Sequence, residues 1–399
     1  MTATFEGLTD LQGAAAADGI AAARSLRQLS RVEAGSSEGE RTLSVPLVEA
    51  LWETGLMTYL NVPEAGGSQP SFAEVIETWI ELAWQDASLG WIGIANLPSS
   101  MAASAYLPDA GFQELFGDAG RRVTVAGQFF PNGTGAATGD GYVLSGSWNF
   151  GSGTGHSQYV ACGFFPVVDG EAVFDFAEIR AAIVPREQVV FNDGWHVQGL
   201  KGTGSYDYSV TDAYVPAERC FPLFTRTPER GTSPLFRMGL MPITAAGHAS
   251  WALGVSKSML DDVAELALTK VRMSDMDTLA RRQTFQRNLA HFTGMWRAAR
   301  AGVLDAFGEA ERIIQAGEAL TPRVRADLRV AATYATEAAR EVAQWAHLAA
   351  GTTAIREGSR MERAFRDIYT GTQHAFVSEK TYMDAASIWL GLEEDLPGV

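Results

Sequence analysis

The chain is poor in the groups that build metal sites and disulfide frameworks. Among 399 residues there are two cysteines and six histidines. Cys162 and Cys220 each sit in a strand-like run, with neither the spacing of a zinc site nor the number for a disulfide scaffold, and read as small buried hydrophobes. Charge is scarce as well, at 20% of residues, and its balance is acidic, with a formal net charge of −16. A nucleic-acid polyanion or an anionic membrane needs a basic face, so neither is expected as a partner. No stretch offers the roughly 18 uninterrupted apolar residues of a membrane span. Met1 to Arg31 lacks the basic start and apolar run of a secretory signal, so a cytoplasmic protein is expected. Phosphate loops are missing too. "GLKGTGSYD", Gly199 to Asp207, has neither the terminal lysine and hydroxyl pair of a P-loop nor the helix that follows a dinucleotide fingerprint.

What is present is apolar material, 46% of residues, enough for a large core divided into two or three regions. From Ser44 to about Phe116 the apolar residues recur three and four apart, as in "VPLVEALWETGLMTYL" and "FAEVIETWIELAWQDASLGWIGIANL". From about Arg122 to Phe224 the period shortens to two, in "VTVAGQFF", "YVLSGSWNF", "YVACGFF", "RAAIV" and "YDYSVTDAYV". From about Leu235 to Leu392 long helical patterns return. The fold expected is α+β and multidomain: an N-terminal helical domain (1–118), a central antiparallel β-domain (119–228) and a C-terminal four-helix bundle (229–399), with the joint near "TRTPERGTSP".

One segment asks for more than a turn. In "YVLSGSWNFGSGTGHSQYVACGFF" an alternating strand breaks at Gly151-Ser152-Gly153-Thr154-Gly155-His156 and then resumes. A hairpin loop with glycines at positive φ accounts for it. So does a place where backbone comes close to a flat ligand and presents small hydroxyls and an imidazole to it.

Four phrases in order resemble the acyl-CoA dehydrogenase fold, and within it the flavin-dependent monooxygenases typified by the oxygenase component of p-hydroxyphenylacetate hydroxylase. They are Asp86, Ser88 and Trp91 in "ELAWQDASLGW", then "GYVLSGSWNFGSGTGH", then "WHVQGLKGTGS", and finally "RMERAFRDIYTGTQHAF". The resemblance covers about Val45 to Glu394. It implies that Ser152 is the hydroxyl nearest flavin N5, with Gly153 allowing close approach and Thr203 and Ser205 as further hydroxyl contacts. Trp148 fits a flavin wall and plain core equally, since Tyr142, Leu144 and Trp148 share one face of a strand. His156 fits a catalytic role or an ordinary loop histidine. Arg282 and Gln286, opening a long helix, correspond to residues that meet the flavin phosphates of a neighbouring subunit, or else form a solvated face.

The same resemblance places a glutamate base of the dehydrogenases where this chain has Thr370, and a hydroxyl with no adjacent base cannot take a carbon-bound proton. His374, four residues on and on one helical face with Thr370, matches the histidine that monooxygenases place over the flavin; a structural histidine at a helix interface is the other reading. The phenol hydroxylases carry a substrate-contacting histidine after "GW"; this chain has none there, and Ser99 or Ser100 falls nearest. Trp91, Phe129, Phe130, Phe376 and Trp389 occur in segments used near the pocket, with the core as the alternative for each. The activity implied is a two-component monooxygenase: reduced FMN or FAD comes from a separate flavin reductase, O2 adds to it as co-substrate, and one oxygen atom passes to an apolar aromatic or polyketide-like substrate. A homotetramer is implied. An acyl-CoA dehydrogenase or oxidase-like flavoprotein with a displaced base, and a non-catalytic flavin-binding protein, are the alternatives.

Overall fold

The computed structural model describes residues 18–118, 121–192, 194–273, 276–396 and 398–399. Of the N-terminal segment Met1 to Arg31, residues 1–17 lie outside it. Among the described residues seven α-helices come first: α1 (Asp18–Ser25), α2 (Arg27–Glu40), α3 (Val45–Glu53), α4 (Phe72–Gln85), α5 (Ala87–Gly90), α6 (Asn96–Tyr106) and α7 (Asp109–Phe116). α4 starts at a capping box, in which the Ser71 hydroxyl accepts the Glu74 N–H and the Glu74 carboxylate accepts the Ser71 N–H. Asp86 then stops α4 and caps α5, its carboxylate accepting the N–H groups of Ser88 at 2.9 Å and Leu89 at 3.0 Å.

The central strands are β1 (Val125–Thr138), β2 (Gly141–Gly151), β3 (Tyr159–Val168), β4 (Glu171–Ala172), β5 (Arg180–Pro185), β6 (Val190–Asn192), β7 (Tyr206–Pro216) and β8 (Cys220–Pro222). They form one sheet in the order β6-β7-β2-β1-β3-β5-β8, with β4 paired to β3. The expected antiparallel arrangement holds for every pair except β1 and β3, which run parallel. The loop after β2 returns past the start of β1, where Gln158 donates its N–H to Thr124 O, so β3 enters on the far side of β1 in the same direction. Trp148 points into this domain's own core. It is fully buried, stacks on Tyr208 at 5.4 Å and donates its indole N–H to Gly163 O at 2.9 Å. It belongs to the sheet's own core cluster, with Leu144, Phe164 and Tyr208.

The C-terminal part holds α8 (Pro234–Met238), α9 (Leu240–Thr269), α10 (Gln283–Gln315), α11 (Pro322–Ala350), α12 (Arg360–Gly371) and α13 (Glu379–Trp389). α9 is buried around most of its circumference and packs against α4, α10, α11 and α12. Its run of Ala, Gly and Ser permits this close approach; a side chain at Gly254 would meet the backbone of α4.

α12 ties the bundle to the sheet. Arg363 and Arg366 pair with Glu38 of α2 at 3.2 and 2.7 Å. Asp367 does something else: its buried carboxyl accepts the Leu200 N–H at 2.6 Å, and Leu200 is held at a left-handed φ of 55°. Burial, then the neighbouring Asp86, pushes the Asp367 carboxyl up to about 8. Since the folded chain holds this proton more tightly than the unfolded one, the stability it contributes is full below about pH 4 and is lost as pH rises through about 8. Asp367→Asn keeps the acceptor for Leu200 and removes the ionisation. Its melting temperature is expected to fall less than that of the wild type between pH 6 and pH 9; equal slopes would show that Asp367 is not the group responsible.

Candidate active site

Two loops of the β-domain are laced together beside α5. Gly153 donates its N–H to Thr203 O at 2.9 Å, Gly155 to Gly204 O at 3.3 Å, and the Thr154 hydroxyl reaches Gly204 O at 3.2 Å. Gly153 has φ +80°, and a side chain there would collide with the Asn96 amide. The glycines expected to admit a flat ligand are thus required by protein packing.

This lacing lines up hydroxyls. Thr203 Oγ1 donates to Leu200 O at 2.8 Å, Ser205 Oγ lies 2.6 Å from Thr203 Oγ1 and 2.8 Å from Ser152 Oγ, and the Trp91 indole N–H donates to Ser152 Oγ at 3.0 Å. Leu200 O has no proton to give, so the direction is fixed: Ser152 donates to Ser205, and Ser205 donates to Thr203. Ser152 therefore keeps one lone pair and no free proton.

On its other side Trp91 meets rings from the bundle. It packs edge-on against Trp251 at 4.8 Å and His248 at 5.4 Å, and lies 6.3 Å from His374. His374 is 4.6 Å from His248, and Phe376 stacks on His248 at 5.8 Å. His374 does not share a helix with Thr370 as expected. α12 ends at Gly371, where a side chain would strike Trp251, and His374 caps the following short turn, its Nδ1 accepting the Phe376 N–H at 3.2 Å. Thr370 faces elsewhere, its hydroxyl donating to Arg366 O at 2.9 Å under Gly199.

Of the residues expected at the site, Trp91, Ser152, Thr203, Ser205, His374 and Phe376 come together. Others do not. Ser99 is buried and donates to Ala95 O, while Ser100 accepts the Val125 N–H. Phe129 packs toward Phe221 in the main core. Phe130 and Trp389 are exposed, Trp389 under the guanidinium of Arg323. His156 contacts Asn96 Oδ1 at 3.2 Å, anchoring its loop to α6. Arg282 and Gln286 open α10, with the Gln286 amide donating to Ala280 O at 2.9 Å. A polar groove of about 380 Å³ lined by Arg31, Gln85, Asp262, Glu265, Arg360 and Arg363 includes none of these residues. Sequence reasoning missed His248 and Trp251. The available signal was a histidine and a tryptophan within the small apolar run "AAGHASWALG", read there only as helix.

This organisation is that of the acyl-CoA dehydrogenase fold, and the chain is similar to flavin-dependent monooxygenases that share it. Residues 246–379 match the family described as acyl-CoA dehydrogenase, C-terminal domain. The chain is 28% identical to indole-3-acetate monooxygenase of Pseudomonas putida over 92% of each chain. It is 25% identical to the flavin-dependent monooxygenase, oxygenase subunit HsaA, of Rhodococcus jostii (strain RHA1), over 86% of this chain and 91% of that one. Among solved structures, XiaF from Streptomyces sp. in complex with FADH2 and glycerol superposes with a TM-score of 0.89 at 25% identity, covering 96% of this chain and 98% of its own.

His156, His248 and His374 are held uncharged at neutral pH. Burial, then Arg186, lowers His156 to about 4; burial, then Arg329, lowers His374 to about 4; burial, then His374 and Arg329, holds His248 well below the ordinary imidazole range. Because the unfolded chain takes up these protons near pH 6.5 and the folded chain does not, their stability contribution is intact above about 6.5 and lost as pH falls through about 4. Ring ¹⁵N shifts of histidine-labelled protein should keep these three residues neutral at pH 5.5. A midpoint near 6.5 for His374 would contradict the environment described.

Proposed function

We propose that the protein is the oxygenase component of a two-component flavin-dependent monooxygenase. It takes reduced FMN or FAD from a separate reductase and oxygenates an apolar aromatic molecule, working as a homotetramer in the cytoplasm. The observation that carries the reading is the polarity of the hydroxyl relay. Reduced flavin has an N–H at N5, whereas oxidised flavin has a lone pair there. Ser152, left with a lone pair only, suits the reduced form and opposes the oxidised one. The residues present therefore fit a reduced flavin that arrives from elsewhere.

When bound, reduced flavin supplies the two electrons that let O2 give one atom to the substrate and the other to water. Ser152 accepts from it, with Ser205, Thr203 and Gly153 fixing the Ser152 proton and position. His374 is neutral and half-buried, and because its Nδ1 accepts the Phe376 N–H its proton sits on Nε2, which can give one hydrogen bond without placing a charge beside an apolar substrate. Trp91 and Phe376 exclude water around it. Arg282 and Gln286 are assigned to the flavin phosphates of a neighbouring subunit. His156 holds the Ser152 loop and takes no proton from substrate. The dehydrogenase alternative lacks support, because the Thr370 hydroxyl is committed to its own helix and the Asp367 carboxyl is buried on Leu200.

Two experiments test the reading. With a flavin reductase, NADH and indole under ¹⁸O2, one labelled atom is expected in the product. Unlabelled product, or reduction of a tightly held flavin by an acyl-CoA, would replace the monooxygenase by the dehydrogenase reading, and no turnover of either kind by the binding-protein reading. Ser205→Ala frees the Ser152 proton to turn, so the preference for reduced over oxidised flavin, titrated anaerobically, should narrow about 10-fold, the scale of one hydrogen bond. An unchanged preference would remove the relay as its cause.

A further inference from the structure

The least satisfied polar group beside Trp91 is the imidazole of His248. It is 0% exposed, and neither ring nitrogen meets a hydrogen-bond partner. Its neighbours are rings: the edge of Trp91, the tilted ring of His374 and the parallel ring of Phe376 at 13°. A neutral imidazole has one N–H to give and one lone pair to fill, and burying both unmet is a penalty that native cores avoid. Most of α9 around it is Ala, Gly and Ser, so an apolar residue of similar size would have packed there without that penalty.

The rings that cover His248 differ in burial. Trp91 and His248 are buried, whereas His374 and Phe376 are half-buried and stand at a short turn, Ala375–Val377, rather than on a long helix. The turn is pinned from behind by Arg329, which donates to Phe376 O at 2.7 Å and lies over the Phe376 ring. Neither nitrogen of His248 is open to solvent as the rings stand, so a flat molecule reaches them by displacing the Ala375–Val377 turn, with apolar rings then on either side. Arg329 supplies positive charge nearby and no carboxylate faces the cluster among the contacts of these rings, so His248 stays neutral and can accept as well as donate.

We propose that His248 is a substrate-binding residue, its imidazole pairing with the ring N–H or hydroxyl of an aromatic substrate lodged against Trp91, His374 and Phe376. This rests on the monooxygenase reading for what happens next, but the pairing itself requires no oxygen. Indole, with a ring N–H, and 1-methylindole, without one, are the probes.

Protein loaded anaerobically with reduced FMN is titrated with each by calorimetry. The wild type is expected to bind indole at least 10-fold more tightly than 1-methylindole, as one buried hydrogen bond allows. His248→Leu replaces the ring by an apolar group of similar volume. It should melt at or above the wild-type temperature, because two unmet polar atoms are gone, while losing the preference between the probes. His248→Gln, which restores a donor and an acceptor, should recover part of it, and it carries the comparison if the Leu variant melts early. Equal binding of both probes by the wild type, no binding of either, or a preference that survives in His248→Leu would overturn the proposal. With oxygen absent, none of these outcomes depends on whether label enters product, so the two readings fail separately.

Discussion

A single bond from a buried carboxyl to a backbone N–H organises the centre of this molecule. Asp367, on the last turns of α12, holds Leu200 in a left-handed conformation that a branched side chain reaches only under constraint. From Leu200 O the hydroxyl relay starts, and the same carbonyl accepts the Trp195 indole N–H at 3.0 Å. The relay passes through Thr203, Ser205 and Ser152 to Trp91, whose ring is in turn seated on Trp251 and His248 of α9. Helical bundle, sheet loops and first helical region thus meet along one line of bonds. An ionised Asp367 in that place would have Asp86 as its close neighbour, so the protonated form is the one compatible with the packing.

Much of this was legible in the sequence because period is legible. Apolar spacing separates strands from helices without knowledge of what they touch, and the quoted phrases located Trp91, Ser152 and His374 before any geometry was known. What failed was whatever depends on partner choice. The parallel β1–β3 pair follows from where the loop after β2 crosses, which alternation cannot encode. Trp148 and Ser152 lie four residues apart, yet one faces the domain core and the other Trp91 of the first helical region, because the register shifts between Trp148 and Gly151. Thr370 and His374 look like one helical face until Gly371, pressed against Trp251, ends the helix between them. His248 escaped notice for a related reason: in a helix buried all round, no polar face marks a functional residue, and only an unpaired nitrogen does.

The site illustrates how neutral groups achieve discrimination. The relay runs through hydroxyls, an indole and a backbone carbonyl, and the ring side carries His248 and His374, kept uncharged by burial, with the Arg329 guanidinium behind Phe376. Direction of donation, rather than charge, then decides what fits. Such a site pairs naturally with an apolar substrate and a cofactor that differs between redox states by a proton.

The seams between regions also bear on how the chain is made. Trp251 donates to Ala87 O across 164 residues, Tyr106 donates to Phe236 O at 2.8 Å, and one continuous core includes Leu51, Val125 and Val342. The apolar face of α4 is therefore completed by α9, which leaves the ribosome much later. Contacts so distant in sequence close slowly, and the side of α4 that faces α9 has no native surface to bury itself against until the bundle has been synthesised. The first helical region is accordingly a layer of the finished molecule rather than a unit that can be cut out, and a fragment ending after the sheet would lose the Phe307 ring that covers Phe72 and the α9 surface packed on Ala83, leaving a sticky face.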